Sequence, residues 1–442
     1  MANKLTKFIL FALVLGVIVG WATHSALDQG TPESAALLKS IADNLGIVTS
    51  LFLRLIKMII APLVFSTLVV GIAHMGDTAA LGRVGARSLG WFIGASLVSL
   101  SLGLLLVNLL QPGVGLNLPL PAVDAASGVD QSAFSLKDFI THVVPSSIAD
   151  AMAKNDILPI VVFSVFFGVA ITAVGEAAKP LVRGIEGLVQ VMLQITNYVM
   201  RFAPFAVFGA IGAVVATKGL GIVITYGVLI GEFYFGLALL WVILLAIGGL
   251  FLGKRIFTLI RYIREPLLLT FSTASSEAGL PKLFEQLDRF GVPRRLSGFV
   301  LPLGYSFNLD GSMMYMSFAT IFIAQAYGIE LSWTQQILML LTLMITSKGI
   351  AGVPRASLVV IAATLSQFGL PVEGIALILG IDQFLDMGRS ATNIVGNAVA
   401  TSVITKWEGM LEKPEPIAVE PPHAPSRTPA RGKAGLDLDS TT

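Results

Sequence analysis

Long apolar runs, broken by short polar interruptions, fill this chain almost from its first residue. The run "KFILFALVLGVIVGWA" (7–22) and its successors hold too many consecutive apolar residues for a soluble fold, and they predict membrane-spanning helices. The basic start and apolar core of the N-terminus also fit a signal peptide. Because many further spans follow, the run reads as a retained first helix, with Lys4 and Lys7 holding the N-terminus in the cytoplasm.

The interruptions orient the spans. Basic residues gather at Arg83 and Arg87, at Lys179 and Arg183, and at Lys254, Arg255, Arg261 and Arg264. They recur at Lys282, Arg289, Arg294 and Arg295, and at Lys406 and Lys413. Cytoplasmic loops carry such excesses. The segment from about 112 to 155 is richer in Asp and Gly and reads as external. Single crossings satisfy every cluster up to Arg264. The apolar stretch "PLLLTFSTASSEAGLP" (266–281) breaks that alternation, because basic residues flank it on both sides. It reads as a re-entrant hairpin dipping in from the cytoplasm. Irregular backbone survives at membrane depth only inside protein or beside water, so the hairpin belongs to a site.

A second interrupted stretch, residues 338–371, has the same order of apolar arm, Gly/Pro tip and apolar arm. The tips share Ala278-Gly279-Leu280-Pro281 against Ala351-Gly352-Val353-Pro354. By the same topology the second hairpin enters from outside. Two like units of opposite orientation form an inverted repeat, an architecture of secondary transporters.

Composition agrees. Of the 442 residues 55% are hydrophobic and 13% charged, and the mean hydropathy is +0.82. The fold class is an all-α polytopic membrane protein. A net charge of +2 says little about partners, because its distribution along the chain matters more; no nucleic-acid partner is expected, and the absence of cysteine excludes disulfides and thiolate metal sites. His24, His74, His142 and His423 lie too far apart for a metal-ligand spacing, so no metal is expected beyond a coupling sodium. The Pro-rich end, from Lys413 on, predicts a disordered cytoplasmic tail.

Within this apolar setting, "IDQFLDMGRSATNIVGNAVAT" (381–401) carries Asp382, Asp386, Arg389, Asn393 and Asn397 at spacings of four, three, four and four. These side chains stack on one helix face. An intramembrane charge costs about 2.5–3.5 kcal/mol on insertion scales, so this face meets partners or a wet cavity. One reading is a structural ion pair between Arg389 and either aspartate. The other is a binding site, in which Arg389 offers a planar fork to a carboxylate, Asp386 an anion to an ammonium group, and Ser390 and Asn393 neutral hydrogen bonds. In "FNLDGSMMY" (307–315), Asn308 and Asp310 mark a helix break whose freed carbonyls suit a hard cation; a plain structural kink is the alternative. The small hydroxyls of "STASSEAG" (272–279) could cradle an anion at a half-helix start or form an ordinary polar turn. No histidine lies near these serines and no G-x-S-x-G occurs, which argues against an intramembrane hydrolase.

"YSFNLDGS", "SKGIAGVP" and "FLDMGRSATNIVGN", in this order, resemble the dicarboxylate/amino-acid:cation symporter family, the glutamate transporter family, in its bacterial proton/glutamate type. The resemblance runs from "MIIAPLVFSTLVVGIA" (58–73) through "NDILPIVVFSVFFGVA" (155–170) to "ATSVITKWEG" (400–409), leaving out the tail. It implies eight transmembrane helices, two re-entrant hairpins, a homotrimer in the inner (plasma) membrane with both termini cytoplasmic, and an elevator-type mechanism. The implied division is scaffold helices 1 and 2 in 1–78, transport-domain helix 3 in 79–112, and an external loop in 113–155. Scaffold helices 4 and 5 follow in 156–217, the rest of the transport domain in 218–408, and the tail in 409–442.

By motif position Arg389 holds the substrate side-chain carboxylate and Asp386 its amino group. Ser275, Ser276, Ser312, Val353, Ser357, Ser390 and Asn393 complete the implied substrate contacts. Gly304, Asn308, Asn393 and Asp310 match cation-site positions, as do Ser347, Lys348 and Ile350 through carbonyls; Ser96, Asp382 and Asn397 join this cation or proton group. Five positions depart from the family pattern. Asn397 replaces an aspartate cation ligand of sodium-coupled members, and Phe92 and Ala95 replace Tyr and Thr ligands beside Ser96. Arg355 stands at the gate tip where many relatives have Gly, and Met316 replaces a polar or acidic residue.

The expectation is a symporter for glutamate or aspartate without a cofactor, coupled to H+ with Na+ as the alternative. Buried carboxylates freed from a metal carry protons, with Asp310, Asp382 and Glu277 the candidates. A C4-dicarboxylate importer is the nearest rival, and an anion channel the rival from another class. Saturable uptake with countertransport separates carrier from channel.

Overall fold

The computed structural model describes residues 2–75, 78–114, 141, 143–220, 226–347, 356–379 and 381–415. The first half is built of α1 (Ala2–Leu27), α2 (Pro32–Met75), α3 (Thr78–Leu110), the short α4 (Ile148–Lys154), α5 (Ile157–Val174), α6 (Lys179–Met200) and α7 (Ala203–Lys218). The second half contains α8 (Gly227–Leu252), α9 (Arg255–Thr273), α10 (Ser276–Phe290), α11 (Arg294–Phe307) and α12 (Asp310–Ala326). It closes with α13 (Trp333–Thr346), α14 (Ala356–Gln367), α15 (Ile375–Leu379) and α16 (Asp382–Trp407). Among the described residues, apolar segments long enough to cross a membrane are Lys7–Leu27, Pro32–Ala73, Leu81–Leu110, Ile157–Met200 and Gly227–Leu252.

The first hairpin is longer than the 266–281 expected from hydropathy, because its arms α9 and α10 continue as amphipathic helices over 255–290. Only Ala274 and Ser275 separate the arms, and Ala274 makes the reversal in the left-handed region at φ 49°. The second hairpin has α13 and α14 as its arms, while its tip at 348–355 lies outside the described residues. The expected helix break is present: α11 ends at Phe307 and α12 begins at Asp310.

Two apolar cores meet along α16. Helices α1, α2, α5, α7 and α9–α11 build the first, with Met387, Ile394, Val399 and Val403 from α16. Helices α3, α8 and α12–α15 build the second, joined by Ile381 and Leu385. The polar face of α16 therefore runs past the seam between two cores. Side chains of α8 fix its rotation: Tyr234 Oη donates to Phe384 O (2.7 Å) and Trp241 Nε1 to Thr392 Oγ1 (2.8 Å).

Residues 409–415, within the tail expected over 409–442, are held in place by specific contacts. Glu408 accepts from Arg83 Nε (3.1 Å) and Arg87 Nη1 (2.6 Å), and Gly409 turns the chain at φ 71°. Residues beyond it form a strap across the α10–α11 turn, with Glu412 N donating to Gly291 O and Glu415 N to Arg289 O, each at 2.8 Å. Arg255 and Tyr262 of α9 donate to the carbonyls of Glu412 and Glu415. Backbone pairing and charge hold this segment. Residues 416–442 lie outside the described residues.

Candidate substrate and cation site

The face predicted on α16 is buried, and its members fall into two clusters. At one end Asp386, with its side chain 24% exposed, accepts from Arg389 Nε (2.8 Å) and Ser390 Oγ (3.0 Å). Arg389 is 3% exposed. Its Nη1 donates to Asp382 Oδ1 (3.2 Å), and its guanidinium carbon lies 4.4 Å from the Tyr315 ring centroid. Tyr315 Oη donates to the same Asp382 oxygen (3.0 Å). The guanidinium is thus fixed by two carboxylates and a π face. Asp382, grouped with the cation positions from sequence, is brought to Arg389 rather than to Asp310.

Asn393 joins the broken elements. Its Oδ1 accepts from Gly311 N (2.9 Å) and Ser312 N (3.3 Å), capping α12. Its Nδ2 donates to Ser276 Oγ (3.1 Å) and Ser312 Oγ (3.2 Å). Ser276 Oγ also reaches Ser390 O (3.4 Å), and Tyr305 Oη donates to Ser276 O (3.0 Å). One amide therefore holds the first hairpin tip, the α12 N-terminus and α16 together. Ser275 stands just before α10 without a side-chain cap bond. Ser357 is buried on α14. Val353 and Arg355 lie outside the described residues.

At the other end are Asp310, Asn308 and Asn397, each at most 1% exposed. Asn308 Nδ2 donates to Asp310 Oδ2 (3.0 Å) and Asn397 Oδ1 (3.4 Å). Ser99 Oγ donates to Asp310 Oδ1 (3.2 Å), and Ser96 Oγ donates to Phe307 O (3.4 Å). Gly304 and Gly396 permit this cluster: a Cβ on Gly396 would collide with the Asp310 carboxylate, and one on Gly304 with the Asn397 amide. The Phe92 ring lies 3.5 Å from that same Gly304 position, so an aromatic edge fills space beside the cluster. Among the described residues, Asn308 Oδ1 and Asn397 Nδ2 have no hydrogen-bond partner. The first is an acceptor suited to a cation; the second is a donor that repels one. Ser347 ends α13, buried, with its hydroxyl on Met344 O (3.3 Å), and Lys348 and Ile350 lie outside the described residues. Met316 is buried in α12 within the second core.

Sequence reasoning missed Tyr315 and Ser99. Ser99 could have been found one turn beyond Ser96 on α3, and Tyr315 as the phenol closing "FNLDGSMMY".

Comparison with known proteins matches residues 5–407 to the family described as the sodium:dicarboxylate symporter family. A proton/sodium-glutamate symport protein of Bacillus caldotenax is 43% identical over 412 residues, covering 92% of this chain and 94% of its own. A proton/glutamate-aspartate symporter of Escherichia coli is 42% identical over 420 residues, covering 93% and 94%. A C4-dicarboxylate transport protein of Laribacter hongkongensis is 38% identical over 440 residues, covering 96% and 97%.

Proposed function

Since the chain belongs to the sodium:dicarboxylate symporter family and is a symporter rather than an enzyme, we propose that it imports glutamate and aspartate together with protons. The observation that carries the substrate reading is the pairing of Asp386 with Arg389 at the partly open end of an otherwise buried face. A substrate with two carboxylates and one ammonium matches this pair charge for charge. Its side-chain carboxylate takes the Arg389 fork while Asp386 turns to the ammonium, so the Asp386–Arg389 ion pair is exchanged rather than broken. Hydroxyls of Ser276, Ser312 and Ser390 lie beside it to receive the second carboxylate.

Proton coupling is favoured by the second cluster. Asn397 supplies an amide where a sodium ion wants an anionic oxygen, and Phe92 fills adjacent space. Asp310 is the first candidate to carry the proton, being a buried carboxylate in a site poorly equipped for sodium. The same reading makes the protein a homotrimer in the plasma membrane with cytoplasmic termini and eight spanning helices. Helices α1, α2 and α5–α7 stand still while α3 and α8–α16 move as an elevator.

Radiolabelled uptake in proteoliposomes, with proton and sodium gradients imposed separately, tests the proposal. An inward proton gradient is expected to drive glutamate and aspartate accumulation, with sodium making little difference. Uptake that needs sodium and ignores protons overturns the coupling.

Asp386→Ser separates the acidic amino acids from C4-dicarboxylates, which relatives at 38% identity are named for transporting. It leaves an ammonium unpaired and removes a repulsive neighbour from a dicarboxylate, so affinity for amino acids should fall far more than affinity for succinate or malate. Equal weakening of both in a competition assay shows Asp386 to be structural.

A further inference from the structure

Lys57 stands deep in the apolar span Pro32–Ala73 of α2, exposed, with Arg54 exposed one turn before it. Its Nζ lies 4.0 Å from Oε2 of Glu277, the second residue of α10 and the neighbour of Ser276. This ion pair joins α2 to the first hairpin, one of the elements that carry the substrate cluster. Backbone approaches backbone closely at two other points of that boundary. Gly298 of α11 packs on the Thr67 carbonyl, and Gly71 of α2 on the Arg295 backbone, contacts that leave no room for a side chain. Closely apposed backbone at such points can slide, whereas a charge pair holds one register.

We propose that the Glu277–Lys57 pair is an electrostatic latch between α2 and the first hairpin, and that protonation of the Glu277 carboxylate opens it. This deepens the symporter reading above and rests on it. The carboxylate takes one proton from water and becomes a neutral acid, while Lys57 keeps its charge. Attraction across the boundary is lost, and the hairpin is free to leave α2. Glu277 faces Lys57 from α2 and Tyr305 from α11 as its titratable neighbours, and the Tyr305 hydroxyl is committed to the Ser276 carbonyl. Ser276 also bonds to Asn393, so the latch sits one residue from the network that closes around substrate. Binding and release are thereby joined through a single turn of α10.

The chain has no cysteine, so Lys57→Cys with Glu277→Cys introduces a clean pair. Bridging the two thiols with mercuric ion in the full-length protein should arrest exchange of whichever acidic substrate the wild type carries, with labelled substrate still bound and a thiol reductant restoring exchange. Failure to cross-link, or a cross-linked protein that exchanges normally, overturns the latch. The cross-link is read by mass on the whole protein and is independent of substrate, so failure of the symporter reading is seen separately as a wild type that carries no acidic substrate. Protonation is tested from both sides of the boundary by Glu277→Gln and Lys57→Gln. While Glu277 titrates, wild-type exchange should change by up to about tenfold per pH unit, and in either variant the profile should be nearly flat. A wild-type pH profile in both variants overturns the protonation step, and Lys57→Gln keeps the test open if Glu277→Gln fails to fold.

Discussion

Replacing Arg389 by alanine is expected to abolish uptake of every acidic substrate. Among the described residues Arg389 is the one guanidinium in the substrate cluster, and it is held between Asp382, Asp386 and the Tyr315 ring. Truncating one partner of a desolvated charge pair costs about 2–5 kcal/mol, or about 30- to 5,000-fold in affinity. The loss falls on substrate twice. The carboxylate loses its partner, and the freed Asp382 and Asp386 repel it. Labelled uptake into proteoliposomes, with size-exclusion chromatography to check assembly, measures the effect. Near-normal uptake by Arg389→Ala shows that the arginine only ties α16 to its own carboxylates. Arg389→Lys is expected to fail as well, because a point charge cannot meet Asp386, Asp382 and a planar ring at once.

Asn397→Asp is expected to turn the protein toward sodium. The wild-type amide already presents Oδ1 to Asn308, and only its Nδ2 is left without a partner among the described residues. The substitution keeps the acceptor and exchanges the cation-repelling NH2 for an oxygen that shares a negative charge. An added unit charge about 4 Å from a cation contributes about 4 kcal/mol at an effective dielectric constant of 20. The Phe92 ring still crowds the cluster, so part of this is lost to imperfect coordination. A stimulation of uptake by sodium of about tenfold or more, about 1.4 kcal/mol, is the expected outcome. Initial rates with and without sodium, at matched proton gradient, measure it. A variant as indifferent to sodium as the wild type shows that the cluster holds no cation whatever charge stands at 397.

The features legible in the sequence were those set by one helix or by charge along the chain. Spacing alone placed Asp382, Asp386, Arg389, Asn393 and Asn397 on one face, and the basic flanks of 266–281 revealed a hairpin because lipid forces a count of crossings. The break at Asn308 showed as polar letters around a glycine in an apolar run. What the sequence hid was partnership across distance. Nothing local says that Tyr315 meets Asp382, 67 residues on, or that Ser99 meets Asp310, 211 residues away. The strap over 409–415 was hidden for another reason, because its bonds are backbone and charge, to which a hydrophobicity argument is blind.

That strap also has a bearing on the order in which the protein can be completed. Its bonds from Glu412 to Gly291 and from Glu415 to Arg289 close a ring of chain that contains Asp310, Ser312, Asp386, Arg389 and Asn393. At synthesis rates of about 5–20 residues per second, the stretch from 291 to 412 takes about 6–24 s to emerge. For that interval the base of the first hairpin has been made and its fastener has not. The nascent chain therefore holds an unclasped hairpin at the membrane until almost the last of the described residues leaves the ribosome, and the transport machinery is sealed from its C-terminal end.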